Sequence, residues 1–169
     1  MAKWMAGVAG AAILMMAGAA SAAPFDARKP ADLAAAIKGA GATGEVKTDS
    51  DGKLFFEGKQ DDFSFSVEFR DCKDGACEAA YYMASWDMDA PPMKIINLWN
   101  DVTYFCPAFV GADGDPFLKM GFRPKATDTR AGVLADYEKW MMCVDEFKGL
   151  LSDPDGFESS IKPPGGGSD

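Results

Sequence analysis

The chain has no histidine among its 169 residues. This removes the commonest general base and the usual partner of a nucleophilic serine or cysteine. A Gly-x-Ser-x-Gly elbow, a phosphate-cradling glycine loop and a dinucleotide fingerprint are also missing. Positive charge is scarce: 17 Lys and Arg stand against 26 Asp and Glu, a net charge of −9. No Lys/Arg cluster overrides that field, which argues against nucleic acid as a partner and against adsorption to anionic lipid. Cysteine is limited to four residues, none in a C-x-x-C pair, so a redox dithiol is not indicated. Cys72-x4-Cys77 supplies two ligands where structural zinc needs four. No cofactor or metal is expected.

Long apolar runs are absent except at the N-terminus. Met5 to Ala20 is rich in Ala, Gly and Met, Lys3 precedes it, and Ala20-Ser21-Ala22 carries the small residues that signal peptidase needs at −3 and −1. Cleavage is expected after Ala22, because a cut one residue later would leave Pro24 first in the mature chain. The competing reading is an uncleaved anchor, since Trp4 to Ala23 is nearly long enough to span a bilayer. Ala and Gly contribute little to insertion, however, and no stop-transfer charge cluster follows. The expected organisation is a signal peptide over 1–22, one domain over 23–152 and a disordered tail over 153–169. A periplasmic or secreted protein follows, with no membrane insertion after cleavage.

What remains reads as α+β. Pro30 to Lys38 predicts a short helix with Pro at its start and Gly39 at its end. Glu45 to Thr48 and Lys53 to Glu57 flank the turn Asp49-Ser50-Asp51-Gly52. That turn mimics part of a calcium loop, but Lys47 stands where the first carboxylate ligand belongs and Gly58 where the bidentate Glu belongs, so the site is rejected. Phe63, Phe65, Val67 and Phe69 alternate into a strand, and Ala79 to Trp86 forms its hairpin partner. After Pro91-Pro92, Met93 to Val102 predicts a helix with Met93, Ile96, Leu98, Trp99 and Val102 mostly on one face. Tyr104 to Val110 and Phe117 to Phe122 read as strands, and Thr129 to Leu151 as the longest helix. The expectation is a single domain, an antiparallel sheet of about five strands packed against three helices, in the order α-β-β-β-β-α-β-β-α.

The short Lys73-Asp74-Gly75-Ala76 turn places Cys72 and Cys77 opposite each other, where a disulfide forms in an oxidising compartment. Cys106 and Cys143 are either a second pair or two buried thiols, and the sequence does not choose between them.

Several segments in order resemble the YbjN family: Phe63-x-Phe65 through Arg70-Asp71-Cys72, Cys77 followed by Tyr81-Tyr82-Met83-Ala84, Ile95-Ile96-Asn97-Leu98-Trp99-Asn100, Tyr104-Phe105 through Phe109-Val110, and Trp140 through Phe147. The resemblance covers about Ala31 to Leu151, and its most specific piece is Asn97-x-Trp99-Asn100. It departs at Cys106-Pro107, where relatives look more polar or basic. The resemblance implies a type III secretion chaperone-like α+β fold and a role as a sensory-transduction regulator or chaperone-like protein, with no catalytic residues to carry over.

Within the motif, Trp99 reads as core, and Asn97 and Asn100 as ties between a loop and the sheet rather than ligand contacts. A one-sided sheet leaves half of its side chains facing away from the helices, so Phe55, Phe56, Tyr82 and Trp86 are the candidate interaction surface. The leading expectation is an exported, non-catalytic module that binds a protein or peptide, as a monomer or a homodimer. The alternative is a small-molecule-binding or carboxylate-based envelope enzyme.

Overall fold

The computed structural model describes residues 24–161. The expected signal peptide over 1–22 and residues 162–169 of the expected tail therefore lie outside the described residues. Helix α1 (Pro30–Gly39) buries Leu33, Ala34, Ala36 and Ile37. Four strands follow as an antiparallel meander: β1 (Thr43–Thr48), β2 (Leu54–Gln60), β3 (Phe63–Lys73) and β4 (Ala76–Ser85). Helix α2 (Met93–Val102), strands β5 (Ala108–Val110) and β6 (Pro116–Phe122), and helices α3 (Arg130–Ser152) and α4 (Pro154–Ile161) complete the order. The strands form one antiparallel sheet in the order β1-β2-β3-β4-β6-β5, so β1 and β5 are its edges.

Period-two alternation decides which face of the sheet is covered. Phe65, Val67 and Phe69 of β3, with Tyr82 of β4 and Leu118 of β6, are buried. They meet α3, whose Val133, Tyr137, Trp140, Val144 and Phe147 recur at helical spacing. Tyr82 stacks on Trp140 with ring centroids 5.6 Å apart, and Phe65 lies 5.7 Å from Tyr137. Gly58 sits in this layer because a Cβ there would come within 2.5 Å of the Phe65 ring. The β3–β4 hairpin turns through Asp74 (φ 52°) and Gly75 (φ 80°), the left-handed pair of a type I′ turn, whose twist matches the flanking strands.

The α+β class, single domain and element order agree with the sequence reading, with three corrections. The sheet has six strands rather than about five. Strand β5 starts at Ala108 rather than Tyr104, because the residues before it form a loop and Pro107 has no N–H to give a ladder. Residues 154–161 are a fourth helix, not the beginning of a disordered tail. Asp153 accounts for that helix: its Oδ1 accepts the Gly156 N–H at 2.9 Å, and Pro154 occupies the first helical position, where its missing N–H costs nothing. Phe157 of α4 then packs 5.9 Å from the Trp99 ring, and Lys94 pairs with Glu158 at 3.1 Å.

Candidate interaction surface

The segment from α2 to β5 is held by its own side chains. Trp99 is buried, and its Nε1 donates to the Cys106 carbonyl at 2.7 Å. The Asn100 amide accepts the Ala108 N–H at 2.8 Å and donates to the Ala108 carbonyl at 3.0 Å. One side chain thus pairs with β5 as a neighbouring strand would. Asn97 is exposed on α2 and takes no part in this arrangement. A disulfide between Cys106 and Cys143, with a Cα separation of 6.3 Å, ties the start of β5 to α3. Cys72 and Cys77 are cross-strand partners joined by a second disulfide.

These anchors leave the chain just before β5 with its aromatics outside. Tyr104 is 90% exposed, Phe105 68% and Phe109 41%. Phe109 stacks on Phe117 of β6 at 5.1 Å, on the face of the sheet away from α3. On that same face Phe55, Ser66, Met83 and Phe117 line a shallow hollow of about 280 Å³. Further along it, the Tyr81 hydroxyl donates to the Glu68 carboxylate, Arg70 donates to both, and the Lys119 ammonium lies 3.7 Å from the Tyr81 ring centre. Burial, and then the hydrogen bond to Glu68, raise the Tyr81 pKa. The uncovered face is therefore apolar towards β5 and polar towards the middle of β3 and β4.

The four aromatics expected to share a surface are separated by this geometry. Phe56 and Tyr82 are fully buried on the helix side of the sheet. The expectation that they are exposed is corrected, because each sits at a core-facing position of its strand. Phe55 is half-buried on the uncovered face. Trp86 is half-buried beyond the end of β4, stacked on Phe63 at 5.8 Å and tilted against Phe147 at 5.2 Å. Tyr104, Phe105 and Phe109 were not singled out from the sequence; the signal was Cys106-Pro107, which breaks the strand pattern and puts its first aromatics into a loop.

The described residues contain no group of three or more His, Cys, Asp or Glu able to hold a metal ion. They also contain no helix long and apolar enough to cross a membrane. Searches of curated proteins and of solved structures returned no match. A family model does match, over residues 29–136, from α1 into the first turns of α3, and its description is "Putative bacterial sensory transduction regulator". That match takes in the whole sheet and the Asn97-x-Trp99-Asn100 anchor of β5, and the chain belongs to the YbjN family.

Proposed function

We propose that the chain is an exported, non-catalytic protein-interaction module with a regulatory or chaperone-like role. The observation that carries this reading is the β5 edge: a three-residue strand with no strand on its outer side, with Tyr104, Phe105 and Phe109 exposed at it. Asn100 already takes the outward N–H and carbonyl of Ala108, so contact there rests on the exposed aromatics, which suit the apolar side chains of a protein segment. The bidentate hold of Asn100 on Ala108 and the Cys106–Cys143 bond support it by keeping so short an edge in place before a partner arrives. Export is supported by the two disulfides and by the apolar N-terminal segment ending in Ala20-Ser21-Ala22. A regulatory role is supported by the family description.

The test is capture of partners from periplasmic extract by the intact chain and by a Tyr104→Glu/Phe105→Glu variant, with chain mass in solution measured in parallel. Both residues are exposed, so the variant should keep its melting temperature and lose a stoichiometric partner, or lose a dimer if the partner is a second copy. Unchanged capture and unchanged mass in a folded variant would remove this surface from consideration.

A further inference from the structure

On the side of the core away from the Trp86 end of the sheet, β6 ends at Phe122 and residues 123–129 lead into α3. This connection and the first turns of α3 enclose a hollow of about 540 Å³. Its apolar lining is Ala27, Tyr82, Phe122 and Val133, and its polar lining includes Arg123, Lys125 and Lys139. In a chain of net charge −9, such a gathering of cations is unusual. Two carboxylates line the hollow as well, and both are engaged. Asp136 pairs with Lys139 at 3.2 Å, and Asp128 accepts the Lys125 N–H at 2.7 Å. Arg123 and Lys125 have no ion-pair partner among the described residues.

The start of α3 adds a favourable field. Thr129 caps α3 by accepting the Gly132 N–H at 3.1 Å. Both residues line the hollow, at the positive end of a 23-residue helix. The second, independent observation is Tyr82. Its side chain lines the same hollow and is fully buried, and its hydroxyl has no hydrogen-bond partner. Burial, and then the nearby Asp136 charge, raise its pKa, so the hydroxyl stays protonated and a donor. Buried hydroxyls are ordinarily satisfied, so an orphan at the base of a cation-rimmed hollow lacks an acceptor.

We infer that this hollow binds a small organic oxyanion, its acid group held by Arg123 and Lys125 beside the N-terminus of α3, and its apolar body resting on Phe122 and Val133 against Tyr82. The volume is that of a small-molecule site and exceeds what an inorganic ion fills. Arg and Lys are the side chains that suit carboxylate and phosphate groups, and a helix N-terminus adds to them. The site lies apart from the β5 edge, and a regulator that carries it would sense an acid metabolite independently of how it meets a protein partner.

Phenylacetate, phenyl phosphate, phenethylamine and inorganic phosphate, titrated calorimetrically into the disulfide-bonded chain, test the inference. At least one of the two aromatic anions should bind saturably, with phenethylamine silent and inorganic phosphate weaker by about tenfold or more. Arg123→Gln/Lys125→Gln should weaken that binding by about tenfold or more while leaving the melting temperature unchanged. Tyr82→Phe removes the orphan hydroxyl and keeps the ring, so it should melt at the same or a higher temperature and still bind the anion more weakly. A merely structural Tyr82 would not give that combination. The inference is overturned if neither anion saturates, if the amine binds as well as the anions, or if the Arg123/Lys125 or Tyr82 variants bind unchanged. None of these outcomes depends on the Tyr104 and Phe105 surface.

Discussion

Asn100 satisfies both backbone groups of Ala108 with one side chain, and those groups lie on the outer side of an edge strand, where no other strand pairs. Replacing it by Ala leaves an N–H and a carbonyl to find water at the start of β5. Loss of such a pair costs about 1–3 kcal/mol. Asn97 stands three residues earlier on the exposed side of α2 with no comparable contact, so Asn97→Ala should change stability by less than about 0.5 kcal/mol. Urea denaturation of both variants checks this contrast. Equal midpoints would mean that the Asn100 amide does not hold the strand. Residue type alone could not separate the two asparagines, because both have the same chemistry and differ only in which one faces the returning chain.

At the scale of elements, the two disulfides divide the work unequally. Cys72 and Cys77 are separated by 5 residues and close a hairpin that its turn already favours, whereas Cys106 and Cys143 are separated by 37 and join β5 to α3. In the chain-entropy account the first contributes about 2 kcal/mol and the second about 4 kcal/mol. Cys72→Ser/Cys77→Ser should therefore lower the denaturation midpoint less than Cys106→Ala/Cys143→Ala does, and the second variant should also lose protection from amide exchange at β5. The opposite order would show that the hairpin, not β5, is the weaker element. Hairpin register was legible because alternating Phe63, Phe65, Val67 and Phe69 and the Asp74-Gly75 turn agree. Helix α4 was not, since Asp153-Pro154-Asp155-Gly156 reads equally as a turn or as a cap with Pro at the first helical position. Only the apolar patch that Trp99 offers to Phe157 decides between them. The interaction surface was partly legible for a related reason: alternation separates Phe55 from Phe56 but does not say which of them the helices cover.

For the whole molecule, the tyrosines of the core set an alkaline limit to stability. Burial, and then the Asp61 charge, push the Tyr137 pKa up to about 12, and burial raises that of Tyr82 as well. In the unfolded chain both phenols ionise near pH 10. Between those values the folded chain holds protons that the unfolded chain has released, so stability falls as pH rises. The contribution is fully present below about pH 10 and is lost progressively above it. The Tyr137 hydroxyl donates to Gln60, which is itself half-buried, and with solvent screening there its share is about 1–2 kcal/mol. Tyr82, packed among Phe122, Tyr137 and Trp140 and fully buried, is held protonated to higher pH than Tyr137. The urea midpoint should therefore drop between pH 10 and 11, and phenolate absorbance from the core tyrosines should rise together with loss of the sheet signal rather than before it. Tyr137→Phe removes one titrating group and should flatten the drop. A midpoint that stays level to pH 11, or core phenolates that form while the fold is intact, would mean that water reaches the layer between α3 and the sheet.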